Sequence, residues 1–341
     1  MKKLLSLLLC VILTLALFAC GEPENPSEPA SSEPSSEDIM GGGLTFTEPL
    51  RLAGLKGPTS LGMLKIMEDD ADGVAKNEYV FTLAGSADEI TPKLIKGELD
   101  IAAVPSNLAS VLYNKTNGQI KLLAVNTYGV LYIVGKNVEI NDIKDLSGKT
   151  VYATGKGSTP EYTLTHILNE NGITDVNVEY KSEPAEIVAL LSKNESGIAI
   201  LPQPYVTVAM SKVENLKVLF DLDSEWEKVE GSGIRIVTGT LVVRAEYAET
   251  HKQDLYEFLE EYAESVKFVN ENPAEAAKIS EKFGIFAADI AEKAIPECNI
   301  TLITGENMKL PVNKYLGVLY EQNAASVGGT LPKDDFFFIL G

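Results

Sequence analysis

The sequence predicts an α/β protein of two facing lobes, and three observations carry the prediction. Short apolar strands alternate with amphipathic helices from Thr45 onward. A strand that runs through glycine into a helix at Lys56-Gly-Pro-Thr-Ser60 has a counterpart at Gly155-Lys-Gly-Ser-Thr159. The chain also crosses between the two halves twice, near Asn126–Gly129 and again near Gly233–Gly239. Two crossings imply a two-segment hinge with a cleft between the lobes.

The first of these turns organises the rest. Leu50 to Leu55 reads as a buried strand, and Leu61, Leu64 and Met67 follow at helical spacing. Thr59 or Ser60 can cap that helix, and Pro58 suits its first turn. A helix N-terminus opening out of a glycine turn leaves backbone N–H groups facing outward, which attract anions or polar ligand atoms. Next come a strand at Tyr79 to Leu83 and the capping box Ser86-Ala-Asp-Glu89, with its helix through Ile90, Leu94 and Ile95. Ile101 to Val104 is a third strand, Pro105-Ser106-Asn107 starts a helix, and Ile120 to Val125 is a fourth strand. The second lobe repeats the order. It has strands at Val130–Val134, Lys149–Ala153, Val176–Tyr180, Gly197–Leu201 and Leu216–Phe220, and helices after Pro160, from Pro184 and after Pro204. Thr240 to Arg244 reads as a strand rejoining the first lobe. A long helix follows with Leu255, Phe258, Leu259, Tyr262, Val266 and Val269 on one face. Helical patterns at Ala274–Phe283, Ala287–Ile295 and Val312–Tyr320 are expected on the outside of lobe one. The boundaries that result are 44–128 plus 238–341 for lobe I and 129–237 for lobe II.

The N-terminus addresses location. Met1-Lys-Lys3 is a charged n-region, and Leu4 to Phe18 is an apolar run of secretory length. Leu17-Phe-Ala-Cys20-Gly resembles the lipobox of bacterial lipoproteins, in which signal peptidase II cleaves before a cysteine that carries lipid. Residues 1–19 are then a signal peptide, Cys20 is the lipidation site, and 20–43, rich in Glu, Pro, Ser and Gly with no basic residue, is an extended disordered linker. The expected location is extracytoplasmic, anchored by lipid to the outer face of the cell membrane. The formal charge is −20, and loss of Lys2 and Lys3 makes it −22. No basic stripe exists, which disfavours nucleic acid as a partner. Nothing after residue 20 is long and apolar enough to cross a membrane. With Cys10 removed and Cys20 acylated, Cys298 has no disulfide partner, and only His166 and His251 could serve it as a base. The two His residues fall on separate helices without a ligand cluster, so neither a metal nor another cofactor is expected.

Leu55-Lys-Gly-Pro-Thr, Leu83-Ala-Gly-Ser-Ala-Asp-Glu-Ile, Gly97-Glu-Leu-Asp-Ile-Ala-Ala-Val-Pro-Ser-Asn and Gly155-Lys-Gly-Ser-Thr-Pro-Glu-Tyr, in this order and with the lipobox, carry a resemblance. They resemble the substrate-binding lipoproteins of ABC importers, in the branch labelled nitrate, sulfonate, taurine or thiamine-precursor binding. The match runs from about Leu50 to the Ser326-Val-Gly-Gly-Thr-Leu-Pro end. The resemblance implies the type II periplasmic-binding-protein fold, two Rossmann-like lobes that close on a small molecule. It also implies delivery of that molecule to an ABC permease and its ATPase subunits, with the binding protein a monomer. It does not name the cargo, expected to be anionic or a polar heterocycle.

Ligands of such folds sit at the carboxyl ends of the strands. The candidate contacts are therefore Lys56, Gly57, Pro58, Thr59 and Ser60; Ser86; Ser106 and Asn107; Asn126 and Tyr128; Gly157, Ser158 and Thr159; Gln203; and Arg235. Lys56 reads either as a counter-ion for a carboxylate, sulfonate or phosphate or as a solvated loop lysine. Ser86 reads either as a cap or as a contact. Arg235 is a second candidate counter-ion. Trp226 lies in an acidic helical patch and is expected at the edge of its lobe. The chain has no Ser-His-Asp ordering, HExxH, P-loop or CxxC, and catalysis is not expected. The same fold also serves enzymes of quinone synthesis and a pyrimidine-precursor synthase whose cysteine-rich motif this chain lacks. A ligand-sensing lipoprotein uncoupled from transport is the other alternative.

Overall fold

A computed structural model describes residues 48–340 of the chain. The expected signal peptide, Cys20 and the linker at 20–43 lie outside the described residues.

The expected strand-and-helix alternation is present, and its topology repeats. The first half supplies β1 (Leu50–Leu55), α1 (Leu64–Ala71), β2 (Tyr79–Ala84), α2 (Ala87–Ile95), β3 (Ile101–Pro105), α3 (Ser106–Lys115) and β4 (Ile120–Thr127). The second half supplies β5 (Leu131–Lys136), β6 (Thr150–Ala153), α4 (Thr159–Glu170), β7 (Asn177–Tyr180), α5 (Pro184–Lys193), β8 (Gly197–Pro202), α6 (Tyr205–Lys212), β9 (Leu216–Asp221) and α7 (Leu222–Glu230). The chain then returns through β10 (Gly239–Arg244) and α8 (Ala245–Thr250) to α9 (Lys252–Glu271), α10 (Pro273–Lys282), α11 (Ala288–Ala294), β11 (Ile300–Ile303) and α12 (Lys309–Gln322).

One sheet has the order β11-β4-β10-β3-β1-β2 and the other β7-β6-β8-β5-β9. In the first sheet β1 lies parallel between β2 and β3, and β10 is antiparallel to both β3 and β4. In the second, β6 lies parallel between β7 and β8, and β5 is antiparallel to both β8 and β9. Each sheet is thus three parallel strands, then the strand that arrives from the other half, then the strand that leaves. This shared order makes the turns after β1 and β6 equivalent, and likewise those after β3 and β8.

Burial follows the period of two expected of strands. Leu50 and Leu52 of β1 face α1, α9 and α10, whereas Ala53 faces the opposite layer. The long helix α9 packs Leu255, Phe258, Tyr262, Val266 and Val269 inward on the first sheet, as its periodicity predicts.

Four features differ from expectation. The strand β4 continues through Asn126, at a register shift, to Thr127, which pairs with Gly239 and Ile300, so the crossing to β5 shortens to Tyr128–Val130. The short edge strand β11 was not expected. Its four residues carry too few positions for a pattern to show. The helix α12 does not cover the outside of the first sheet alone. It packs against α3 of one half and α4 of the other, and its Tyr315 and Leu316 join one apolar core with Val104 and Ile198. Trp226 is fully buried rather than placed at an edge, with its ring 4.8 Å from that of His166 and 5.3 Å from that of Tyr315. Leu222 and Trp226, one helical turn apart, form the inward stripe of an otherwise acidic helix.

Candidate functional site

Strand-to-helix turns from the two sheets meet at a cavity of about 490 Å³. Lys56, Gly57 and Pro58, after β1, form one wall. Pro202 to Tyr205, from the end of β8 into α6, form the facing wall, and the third wall is Phe286 of the α10–α11 connection with Ile290 of α11. The volume falls within the ~300–1,000 Å³ typical of small-molecule sites. Of the residues singled out from sequence, Lys56, Gly57, Pro58 and Gln203 come together here.

Local chemistry explains how the first wall is set. The Ser60 hydroxyl donates to the Leu55 carbonyl at 2.6 Å, closing the end of β1, and the side chain is fully buried. Gly57 takes the N-cap position and Pro58 the first turn of a short 3₁₀ segment that continues into α1. An N-terminal proline gives up no intrahelical bond there. Gly54 lets this turn fold back, since a Cβ at that position would lie 2.2 Å from the Ser60 hydroxyl. The Lys56 ammonium has no ion-pair or hydrogen-bond partner among the described residues and lies near Gly284 at the end of α10. On the facing wall the Gln203 N–H donates to the Val130 carbonyl at 2.9 Å, and its side-chain oxygen accepts from the Thr207 hydroxyl at 2.9 Å.

The remaining candidates lie elsewhere, most with their polar groups engaged. Thr59 is buried, and its carbonyl accepts from the Asn126 amide at 2.8 Å, while its hydroxyl has no partner among the described residues. Asn126 is fully buried; its amide also donates to the Tyr262 hydroxyl at 3.1 Å, and its oxygen accepts from Thr127. The buried Ser106 hydroxyl donates to the Val237 carbonyl at 2.5 Å, and the Asn107 amide donates to the Ser326 carbonyl at 3.3 Å. Ser86 is exposed and forms the expected capping box, with its N–H donating to Glu89 Oε1 at 3.0 Å. Gly157 has φ +73°, Ser158 is the N-cap of α4 with its hydroxyl on the Gly155 carbonyl at 2.5 Å, and Thr159 is the first residue of α4.

Arg235 and Tyr128 belong to a third group, where the chain crosses between sheets. Arg235 Nε donates to Asp223 Oδ2 at 2.6 Å, one of its terminal nitrogens donates to Asn299 Oδ1 at 2.9 Å, and the guanidinium carbon lies 4.6 Å from the Tyr128 ring centroid. Asp223 Oδ1 also accepts from the Ile236 N–H at 2.7 Å. The Asn299 amide donates to the Gly129 carbonyl at 2.6 Å, and its own carbonyl accepts from the Tyr128 N–H. Asn299 adopts φ +48°, which asparagine tolerates better than most residues. One cluster therefore fastens the outgoing crossing, the returning crossing and the segment before β11. Burial pushes the Asp223 carboxyl above its ordinary range, outweighing the Arg235 guanidinium and the Ile236 N–H. Sequence reasoning did not select Asp223 or Asn299. Their partners, Arg235 and Ile236 for the one and Gly129 for the other, lie beyond any local pattern.

Two further groups bear on chemistry. Cys298 is fully buried and burial pushes its thiol pKa up, which leaves it unreactive. His166 Nε2 lies 2.7 Å from Glu230 Oε1, on the α4–α7 face away from Cys298 and the cavity.

Comparisons with known proteins bear on both fold and family. The family described as "Menaquinone biosynthesis" matches residues 63–302. The chain belongs to that family. Comparison with curated proteins gave no match. Among solved structures, an ABC transporter protein from Parabacteroides distasonis superposes with a TM-score of 0.73 at 23% identity, covering 85% of this chain and 98% of that one. The periplasmic aliphatic sulphonate-binding protein SsuA from Escherichia coli gives 0.65 at 15% identity, over 84% of this chain and 92% of that one. A Candida albicans protein described as having the generic periplasmic binding protein fold gives 0.54 at 13%, over 85% and 93%. At these identities the likeness shows the fold, which is the type II periplasmic-binding-protein fold. The family description falls on the quinone-synthesis group that the sequence reading held as a rival, whereas the structural relatives fall on the binding proteins.

Proposed function

We propose that this member of the family is an extracytoplasmic solute-binding lipoprotein. It captures a small molecule between its two sheets and delivers it to an ABC import permease with its ATPase subunits. The observation that carries the reading is the cavity itself, walled by strand-to-helix turns from both sheets. Residues 44–128 with 238–341 act as one lobe and 129–237 as the other. The crossings at Tyr128–Val130 and Gly231–Thr238, held by the Asp223–Arg235–Asn299 cluster, act as the hinge. The lipid on Cys20 and the acidic linker hold a monomeric body beside the outer face of the membrane.

Lys56, Gly57, Pro58 and Gln203 are the contacts we assign to the ligand, with the unpartnered Thr59 hydroxyl next in line. A thermal-shift screen of the full chain against nitrate, sulfonates, carboxylates, nucleobases and thiamine precursors tests the reading. Binding raises the melting temperature with ligand concentration, by RT ln(1 + [L]/Kd) in stability. A flat response to every class, from protein whose denatured supernatant carries no small molecule by mass spectrometry, overturns it. Replacing Cys20 with Ser tests the anchor: the protein leaves the membrane fraction, and retention there contradicts lipidation.

The family description favours a second reading, in which the same cavity turns over a precursor of a quinone. Mass spectrometry of the ligand recovered after incubation separates the two. A solute-binding protein returns it unchanged, and an enzyme returns a product.

A further inference from the structure

We infer that α12 is a third tie between the two halves of the body. It stays fastened on one side of the molecule and limits how far the halves part on the other. The inference rests on the two-lobe reading and adds a restraint to its hinge.

Polar contacts anchor the tie at both ends. Toward the first half, α3 holds the segment that follows the helix. The Ser110 hydroxyl donates to the Val327 carbonyl at 2.7 Å, and the Asn114 amide donates to the Val327 and Thr330 carbonyls at 2.9 and 2.7 Å. Gly328, at φ +91°, lets the chain lie against α3, since a Cβ there would come within 3.1 Å of the Val111 backbone. Toward the second half, the Gln322 amide donates to the Tyr162 carbonyl at 2.9 Å and the Asn323 amide to the Tyr162 hydroxyl at 2.7 Å. The Tyr315 and Thr163 hydroxyls, both buried, lie 3.1 Å apart, and the Lys314 ammonium lies 3.5 Å from Glu230 Oε2 at the end of α7. The Tyr162 hydroxyl donates in turn to the Gly157 carbonyl at 3.0 Å, so the tie reaches the turn after β6.

The opposite seam is built differently. There α6 of the second half meets α11 of the first, and among the described residues no hydrogen bond or ion pair joins the two helices. Cavities of about 490 and 460 Å³ flank their contact. Tyr132, whose hydroxyl donates to the Glu297 carbonyl at 2.8 Å, lies two residues past the outgoing crossing and fastens that crossing rather than either helix. Parting α6 from α11 leaves no hydrogen-bonding group of either helix without its partner. Parting α12 from α4 strands the Thr163 and Tyr315 hydroxyls and breaks the bonds of Gln322 and Asn323. The favoured motion is therefore a rotation that opens the α6–α11 seam while α12 stays fastened.

Pulsed electron spin resonance on the full chain tests the tie, with spin labels at Met210→Cys on α6 and Glu292→Cys on α11 and the signal of the unsubstituted chain subtracted. Both positions are exposed, and Cys298 is buried and takes no label. Gln322→Ala with Asn323→Ala, also at exposed positions, is expected to raise the long-distance population on the order of fivefold, for two neutral bonds lost at the low end of their usual contribution. Acrylamide quenching of Trp226, whose ring lies 5.3 Å from that of Tyr315, rises with it. Asn270→Ala is the control. It removes a bond of the same kind, to the Ile300 carbonyl within the first half, and leaves both readings at the wild-type level. Distances and quenching unchanged in the double variant overturn the inference, as does an equal widening in Asn270→Ala. The thermal-shift screen judges the solute-binding reading separately, so either of those results leaves that reading standing.

Discussion

Asp223→Ala is the perturbation whose cost the structure lets one work out most fully. The Asp223 side chain is 1% exposed, and it accepts from the Ile236 N–H and from Arg235, joining the returning crossing to α7. Truncation strands the buried Ile236 N–H, which costs about 1–3 kcal/mol, and removes a charge-assisted bond worth about 1.5–3 kcal/mol. Two effects offset part of this. Arg235 is a third exposed and keeps Asn299 and the Tyr128 ring, so its charge can hydrate. Burial also disfavours the Asp223 carboxylate, as its raised pKa records, and the variant is relieved of that burden. The balance is about 2–4 kcal/mol. Urea unfolding should show the midpoint fall with an unchanged slope. Thermal scans should show a drop on the order of 4–16 °C, from ~2–4 °C per kcal/mol for a body of this size. A drop below about 2 °C would refute the assignment of this cluster as the fastening between crossings. Asp223→Asn keeps one acceptor and should lose less. A raised carboxyl pKa places its stability contribution below the unfolded value near about 3.9, to be lost as pH rises through the folded value. The Asn variant should therefore approach wild-type stability as pH rises above that window.

Other consequences can be checked together. Asp100, 1% exposed, is raised by burial, but the bonds from Arg51 at 2.6 and 2.8 Å and from Arg244 at 2.9 Å outweigh that and hold its carboxyl below the ordinary range. Its contribution is present above an unfolded pKa near about 3.9 and is lost as pH falls through the lower folded value. Asp100→Asn should thus cost about 3 kcal/mol at neutral pH and flatten the acid limb of the stability profile. Trp226, the chain's single tryptophan, should emit to the blue and resist acrylamide quenching, and Trp226→Ala should cost about 3–5 kcal/mol by urea unfolding. Trp226→Phe should cost much less, because the indole N–H is buried without a partner among the described residues. Asn323→Ala removes the 2.7 Å bond to the Tyr162 hydroxyl that ties the end of α12 to α4. It should cost about 1 kcal/mol and speed amide exchange in the first turn of α4.

Much of the fold was legible because strand and helix periods are local properties. The β1 turn, the Ser86–Glu89 capping box, the equivalence of the Lys56 and Gly155 turns and the return at Thr240 could all be read from neighbours in sequence. What was not legible depends on partners far away in the chain. The apolar face of α12 announces burial without saying that it is shared between α3 and α4. Trp226 lies in an acidic stretch of sequence, and only the tertiary packing reveals that Leu222 and Trp226, with Asp223 and Glu225 beside them, turn inward. For the candidate site, the turns were legible but the free groups within them were not. A serine or asparagine at a strand-to-helix turn has backbone carbonyls within reach, and Ser60, Ser106, Asn107 and Ser158 each bond to one. Phe286 and Ile290 enter the cavity from a segment more than two hundred residues beyond Lys56, and no local pattern signals that approach.

Native mass spectrometry of the full chain, equilibrated with fractions of the cell's small metabolites, shows whether the cavity between the sheets takes up a ligand. One small-molecule adduct per chain is expected, lost when Val208→Trp fills the cavity and kept in Met210→Ala on the exposed face of the same helix. An adduct that survives Val208→Trp, in a variant that unfolds like the wild type, would contradict the placement of the ligand between the two sheets.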